Sequence, residues 1–166
     1  MDPQAAALAQ NEILFGERAY EQALDLVIGQ AERELLIFDQ DFSKGAYGSA
    51  GRHDLLRDFL ARDRNNRLIV VLQEADYFVM RCPRLDGLLA SFGHAMSIHE
   101  AGDEAKGARD CFVIADRKHY LRRIHIDHAR FKYALADVET ANRIYARFDE
   151  LRQGAVGRIT ATRLGL

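Results

Sequence analysis

Three short apolar runs constrain this chain more than anything else in it: ELLIF at 34–38, RLIVVL at 67–72 and CFVIA at 111–115. A strand with one wet face alternates apolar and polar residues. A short run that does not alternate suits a strand covered on both faces, and such strands belong to sheets with helices on either side. Helical spacing fills the gaps between the runs. Ala19, Ala23, Leu26, Val27 and Ala31 recur on one face before the first run, and Leu55, Leu56, Phe59 and Leu60 recur before the second. Strand, helix and strand at this separation predict a parallel pair with a right-handed crossover.

The rest of the chain extends the pattern. Residues 12–16 read as a short strand or a lead-in to the first helix. Residues 75–93 read as a helical stretch broken at Pro83, and 95–99 as a third strand after it. Residues 102–107 read as a charged loop. Residues 110–116 and 118–125 form a hairpin around a tight turn, followed by a strand at 129–135 whose Phe131, Tyr133 and Leu135 share a face. Asp137 is a good N-cap for a last helix over 138–153. The expected architecture is α/β: one domain with a mixed sheet and helices packed on both faces. Its bounds are 12–157, with a flexible tail at 1–11 and a tail or edge strand at 158–166.

Composition narrows the function. With 48% hydrophobic and 29% charged residues and two prolines, the chain has the balance of a folded rather than a disordered protein. No apolar run approaches the length of a membrane span, and no basic stretch precedes the N-terminal alanines as in a signal peptide. Cys82 and Cys111 stand in unrelated contexts and read as reduced core thiols. A cytoplasmic location is the expectation.

Charge is unevenly distributed. The chain carries −2 overall, yet residues 109–132 (RDCFVIADRKHYLRRIHIDHARFK) hold seven Lys or Arg against three Asp. A basic segment on an otherwise acidic body points to a local anion site rather than a generally adhesive surface. Arg122, Arg123, Arg130 and Lys132 are suited to phosphate or carboxylate. Strand alternation puts His119, Arg123 and His125 on one side, as a compact cationic set. The alternatives for the segment are a solvated strand face or a protein interface.

Other candidates are weaker. Asp39, Asp41 and Asp76 sit at or just after strand ends, where carboxylates can do acid–base work or hold Arg123 in place. Arg84 follows Pro83 at the start of a helix, and His99 ends the third strand near the expected cleft. His119, His125, Asp127 and His128 have ligand chemistry, but their spacing matches no structural zinc pattern and cations surround them. Neither metal nor cofactor is expected. GAYGSAG at 45–51 lacks the Gly-Lys-Ser/Thr of a P-loop and reads as a flexible loop that covers the cleft.

This order of elements resembles a single phospholipase D-like domain. ERAYEQALDLVIGQAERELLIFDQDF is similar to that superfamily's opening helix and strand, and LLRDFLARDRNNRLIVVL to its second pair. ARDCFVIADRKHYLRR resembles the hairpin that carries the motif His-x-Lys-x4-Asp, and DVETANRIYARFDELRQGA resembles the closing helix. The likeness spans roughly residues 17–155. Setting Asp116 on the motif's Asp puts Arg109 at the His position and Cys111 at the Lys position. The resemblance implies a histidine nucleophile that forms a phosphohistidine, with the acid supplied by the paired motif of a second domain or subunit. Guanidinium cannot act as that nucleophile, and a thiol cannot replace the ammonium that binds phosphate. The Gly-Ser and Asn that follow the motif are also replaced, by Lys118-His119-Tyr120.

The resemblance therefore implies the fold, a homodimer and a phosphate-shaped cleft with a degenerate motif. The expected function is non-catalytic binding of a phosphate-containing anion: nucleic acid, a phosphometabolite or a headgroup. Two alternatives stand beside it. One is a phosphodiesterase or nuclease with a relocated nucleophile such as His119 or His125, and the other is a structural or regulatory interaction module. The candidate ligand-binding residues are Arg109, Asp116, Arg122, Arg123, His125, Arg130, Lys132, Arg84, His99 and Asp39.

Overall fold

The apolar runs lie at the centre of one mixed sheet. The computed structural model describes residues 8–161. In chain order the strands are β1 (Leu14–Phe15), β2 (Glu34–Asp39), β3 (Arg67–Leu72), β4 (Met96–Glu100), β5 (Cys111–Ala115), β6 (His119–His125), β7 (His128–Ala134) and β8 (Gly157–Ile159). The helices are α1 (Glu17–Gly29), α2 (Ala50–Arg62), α3 (Asp76–Arg81), α4 (Pro83–Ser91), α5 (Asp103–Lys106) and α6 (Val138–Gln153). Spatial order across the sheet is β1-β7-β6-β5-β2-β3-β4-β8. β2, β3 and β4 run parallel, as the crossover pattern requires, and every other pairing is antiparallel.

Two cores flank the sheet, and the non-alternating runs feed both. Leu35 and Ile37 of β2 join Leu68, Val70 and Val113 in the core beneath α1, α2 and α4. Leu36 and Phe38 turn the other way, joining Phe112, Ile114 and Tyr120 beneath α6. Each central strand thus supplies apolar side chains to both faces, which is why its sequence shows no period of two.

The β5–β6 hairpin closes on Asp116 and Arg117, both at φ 56°, with the Lys118 amide donating to Ala115 O at 3.1 Å. Two successive left-handed residues match the hairpin turn whose twist suits its strands. The Asp137 side chain accepts from the Thr140 amide and caps α6, and Pro83 opens α4 at its first helical position.

Three expectations change. Residues 103–106 form the short helix α5 rather than a loop. Residues 8–11 are not a loose tail, because the Asn11 amide donates to Tyr133 O and the Tyr133 hydroxyl to Leu8 O. Residues 1–7 lie outside the described residues, as do 162–166. Of the C-terminal stretch, β8 pairs antiparallel with β4 as an edge strand. The 45–51 loop is not a loose cover either. Gly45 sits at φ +84°, where an added Cβ would stand 2.6 Å from Leu24. Tyr47 is buried against Phe42, and buried Arg52 donates to Gly45 O. No helix among the described residues is long and apolar enough to cross a membrane.

Candidate anion-binding site

The start of β5 holds the positions that align with the motif's His and Lys. Cys111 is 3% exposed, its thiol 3.5 Å from the Tyr20 hydroxyl and beside the Asp39 carboxylate. Asp39 accepts from the amides of Phe42 (2.7 Å) and Asp41 (3.3 Å), and burial pushes its carboxyl up to about 6. Burial also raises the Tyr20, Tyr47 and Cys111 groups well above their ordinary values. The Tyr47 hydroxyl is buried with no hydrogen-bond partner among the described residues. The space left among Asp39, Cys111, Arg123 and Lys44 is a cavity of about 10 Å³. That volume is at the threshold for a single water and admits no phosphate. Tyr20, Tyr47 and Cys111 are buried at this end of the sheet, where the resemblance implied a phosphate-shaped cleft.

Arg123 is accounted for by a different acid from the one expected. Its guanidinium donates to both Glu17 oxygens, at 2.9 and 2.7 Å, and lies 4.8 Å from the centre of the Tyr20 ring. Glu17 on α1, not Asp39, holds it. Arg109 is exposed and borders a shallow recess of about 290 Å³ with Lys106, Glu74, Gln40 and Gln73. Gln73 is itself tied to Ala105 O and Ala108 O, both at 2.8 Å.

The expected cationic set of His119, Arg123 and His125 is not compact. His119 pairs with Ala115 at the turn end of the hairpin, whereas Arg123 pairs with Cys111 at the other end. The His119 Nδ1 accepts from the Ala136 amide at 2.9 Å, and burial lowers its pKa. His125 Nδ1 accepts from the Asp127 amide, and its ring stacks obliquely on His128. Asp116 accepts from the amides of Glu32, Arg33 and Glu34 at 2.8–2.9 Å, so it fastens the entry of β2 far from Cys111. His99 shares a register with Val71 of the α6-side core, so it faces away from Asp39, and its Nε2 meets Ser97 at 3.1 Å. Burial, and next Arg158, lower its pKa. Arg84 donates to Gly48 O, and Arg130 stands exposed on β7 beside β1. Among the described residues no group of three or more His, Cys, Asp or Glu could hold a metal ion.

The other face of the hairpin is open. Arg122 and Lys132 are register partners on β6 and β7, and α6 lies across from them with Arg143 and Arg147. Together they border a groove of about 380 Å³ whose lining includes Phe112, Tyr120, Ile124 and Ile144. Asp110, 5% exposed, accepts from Arg122 Nε at 2.9 Å and from Arg147. Burial pushes the Asp110 carboxyl upward, but the hydrogen bonds from Arg147 and Arg122 outweigh it and the net shift is down. Arg143 donates only to the Thr140 hydroxyl, and Lys132 has no carboxylate partner among the described residues. Asp137 stands at the rim, bound to Thr140. Four cations thus border the groove, and the buried Asp110 carboxylate fixes two of them, Arg122 and Arg147.

Sequence reasoning found Arg122 and Lys132 and missed Arg143, Arg147 and Asp110. The signal was present in α6, where positions 140, 143, 144 and 147 fall on one helical face. Nothing local to α6 says that this face meets the basic hairpin.

Solved structures share the fold. A phospholipase D family member, Nuc from Salmonella typhimurium, superposes with a TM-score of 0.63 at 10% identity, over 90% of this chain and 97% of that one. NucT from Helicobacter pylori gives 0.62 at 13% identity, over 88% and 97%. TrmBL2, an archaeal chromatin protein whose structure shows a novel mode of DNA binding, gives 0.64 at 10% identity over 90% of this chain. This chain spans 55% of TrmBL2. The fold is therefore that of the phospholipase D-like superfamily. Residues 16–159 match the family described as Domain of unknown function (DUF7931), and the chain belongs to that family. A comparison with curated proteins found no match.

Proposed function

We propose that this phospholipase D-like domain binds a phosphate-containing anion without cleaving it, in the groove between β6, β7 and α6. The observation that carries the reading is the set Arg122, Lys132, Arg143 and Arg147 around one open recess with a single buried carboxylate among them. Arginines fixed by a shared carboxylate lose little freedom on meeting phosphate oxygens. The non-catalytic part rests on Arg109 and Cys111 at the motif positions and on the cavity of about 10 Å³ beside them. A phospholipase D family member and an archaeal chromatin protein that binds DNA share the fold, which fits a phosphate-directed role. The homodimer implied by the resemblance is part of this proposal, and a monomeric mass by sedimentation would remove it.

The test is fluorescence anisotropy of a labelled single-stranded oligonucleotide titrated at several salt concentrations. Affinity should fall linearly with log salt, at a slope of about −0.7 for each phosphate neutralised. Arg143→Ala and Lys132→Ala should each weaken binding and flatten that slope. Absence of binding at low salt would refute the reading.

A further inference from the structure

We infer that the groove takes a nucleoside phosphate, free or as one unit of a single strand, in preference to a bare inorganic anion. This rests on the anion-binding reading above and names the ligand class of the same groove. Its size is the first argument. At about 380 Å³ it falls within the range of about 300–1,000 Å³ usual for small-molecule sites, and an inorganic phosphate would leave most of it to water.

Its lining is the second argument. Half-buried Ile124 and Ile144 give the groove an accessible apolar wall, backed by Phe112 and Tyr120, which are themselves buried in the core. The Arg147 guanidinium lies 5.5 Å from the centre of the Phe112 ring. An apolar wall inside a cationic rim suits a ligand with one flat apolar part and one anionic part. A purely inorganic ion would gain nothing from the wall.

Distribution of the donors is the third argument. Arg122 and Arg147 are fixed at the Asp110 end, whereas Lys132 and Arg143 border the groove from strand and helix without carboxylate partners among the described residues. The Asn11 amide oxygen already accepts from the Tyr120 hydroxyl at 3.0 Å, which leaves its N–H₂ donors at the groove wall. Such donors match the ring nitrogens and carbonyls of a base edge. The cations also surround a recess rather than a protruding apolar surface, which disfavours a membrane as the partner.

The experiment is calorimetric titration of the full chain with pyrophosphate, adenosine 5′-monophosphate, a pentathymidylate and phosphatidylglycerol vesicles. The mononucleotide should bind at least about tenfold more tightly than pyrophosphate despite its smaller charge, which one good apolar contact can supply. Lys132→Ala and Arg143→Ala should weaken both by about fivefold, whereas Ile144→Ala should weaken only the nucleotide. A pentathymidylate tighter than the mononucleotide supports a single strand as the source, and the reverse order supports a free nucleotide. Pyrophosphate binding as well as the nucleotide would overturn this inference and leave the anion reading standing. Binding to vesicles alone would overturn the inference, and no binding of any probe would overturn both.

Discussion

Arg123 and Glu17 form a two-pronged ion pair that joins the middle of the sheet to the first turn of α1. The guanidinium is 1% exposed and the carboxylate is about half exposed. Hydrogen bonding from Arg123 lowers the Glu17 pKa, so the pair stays charged across the neutral range. Glu17→Ala would leave a guanidinium buried beside Tyr20 without its partner. The expected cost is about 3 kcal/mol, read from the midpoint of urea unfolding. Arg123→Met, which removes the buried charge altogether, should cost less. Equal losses for the two variants would show that packing, not charge compensation, is what the pair contributes.

Asp116 occupies the motif's Asp position, yet its oxygens take up three backbone amides at the start of β2. Asp116→Ala should therefore destabilise by about 2 kcal/mol, since those amides lose their acceptor. Anion affinity should not move. A variant with native stability and weakened binding would restore Asp116 to a ligand-facing role.

Asp39 gives a pH signature with a definite sign. Burial raises its pKa from 3.8 to about 6, so between those values the folded chain keeps a proton that the unfolded chain has released. Its contribution to stability is full below 3.8 and is lost as pH rises through about 6. Asp39→Asn stays neutral and keeps an acceptor for the Phe42 amide. Thermal unfolding should show the variant more stable than the parent above about pH 7, by roughly 2 kcal/mol, with the difference vanishing near pH 4. A variant less stable at pH 7 would mean that the ionised carboxylate is needed by its neighbours.

Both thiols should be inert in the native state. Cys82 is fully buried, and desolvation pushes it up to about 11; burial also raises Cys111 well above the usual thiol range. Neither should react with a disulfide reagent at neutral pH until denaturant is added. Rapid reaction of one thiol in native buffer would show that the Tyr20–Cys111–Asp39 cluster opens.

How much of this was legible in the sequence depended on whether the cause was local. ELLIF, RLIVVL and CFVIA announce strands covered on both faces because burial acts residue by residue. The Asp137 cap, the Pro83 start and the hairpin turn are set by neighbours a few positions away. The site was different. Alternation along β6 correctly separated Arg122 from Arg123, but the fate of each depended on which helix covered which face. Arg123 meets Glu17, 106 positions away, and Arg122 meets Asp110, itself shared with Arg147. The burial of Tyr47 was equally hard to foresee, because it lies in a glycine-rich loop that reads as mobile. Only its packing against Phe42 and the Arg52–Gly45 contact show it to be fixed.

The central claim is that the anion sits in the β6–β7–α6 groove and not at the motif end of β5. Charge reversal at one place and then the other tests it most directly, with oligonucleotide affinity at low salt as the readout. Lys132→Glu and Arg143→Glu should each lower affinity by about tenfold or more, whereas Arg109→Glu should leave it within about twofold. Loss of binding in Arg109→Glu, with the two groove variants unaffected, would contradict the account.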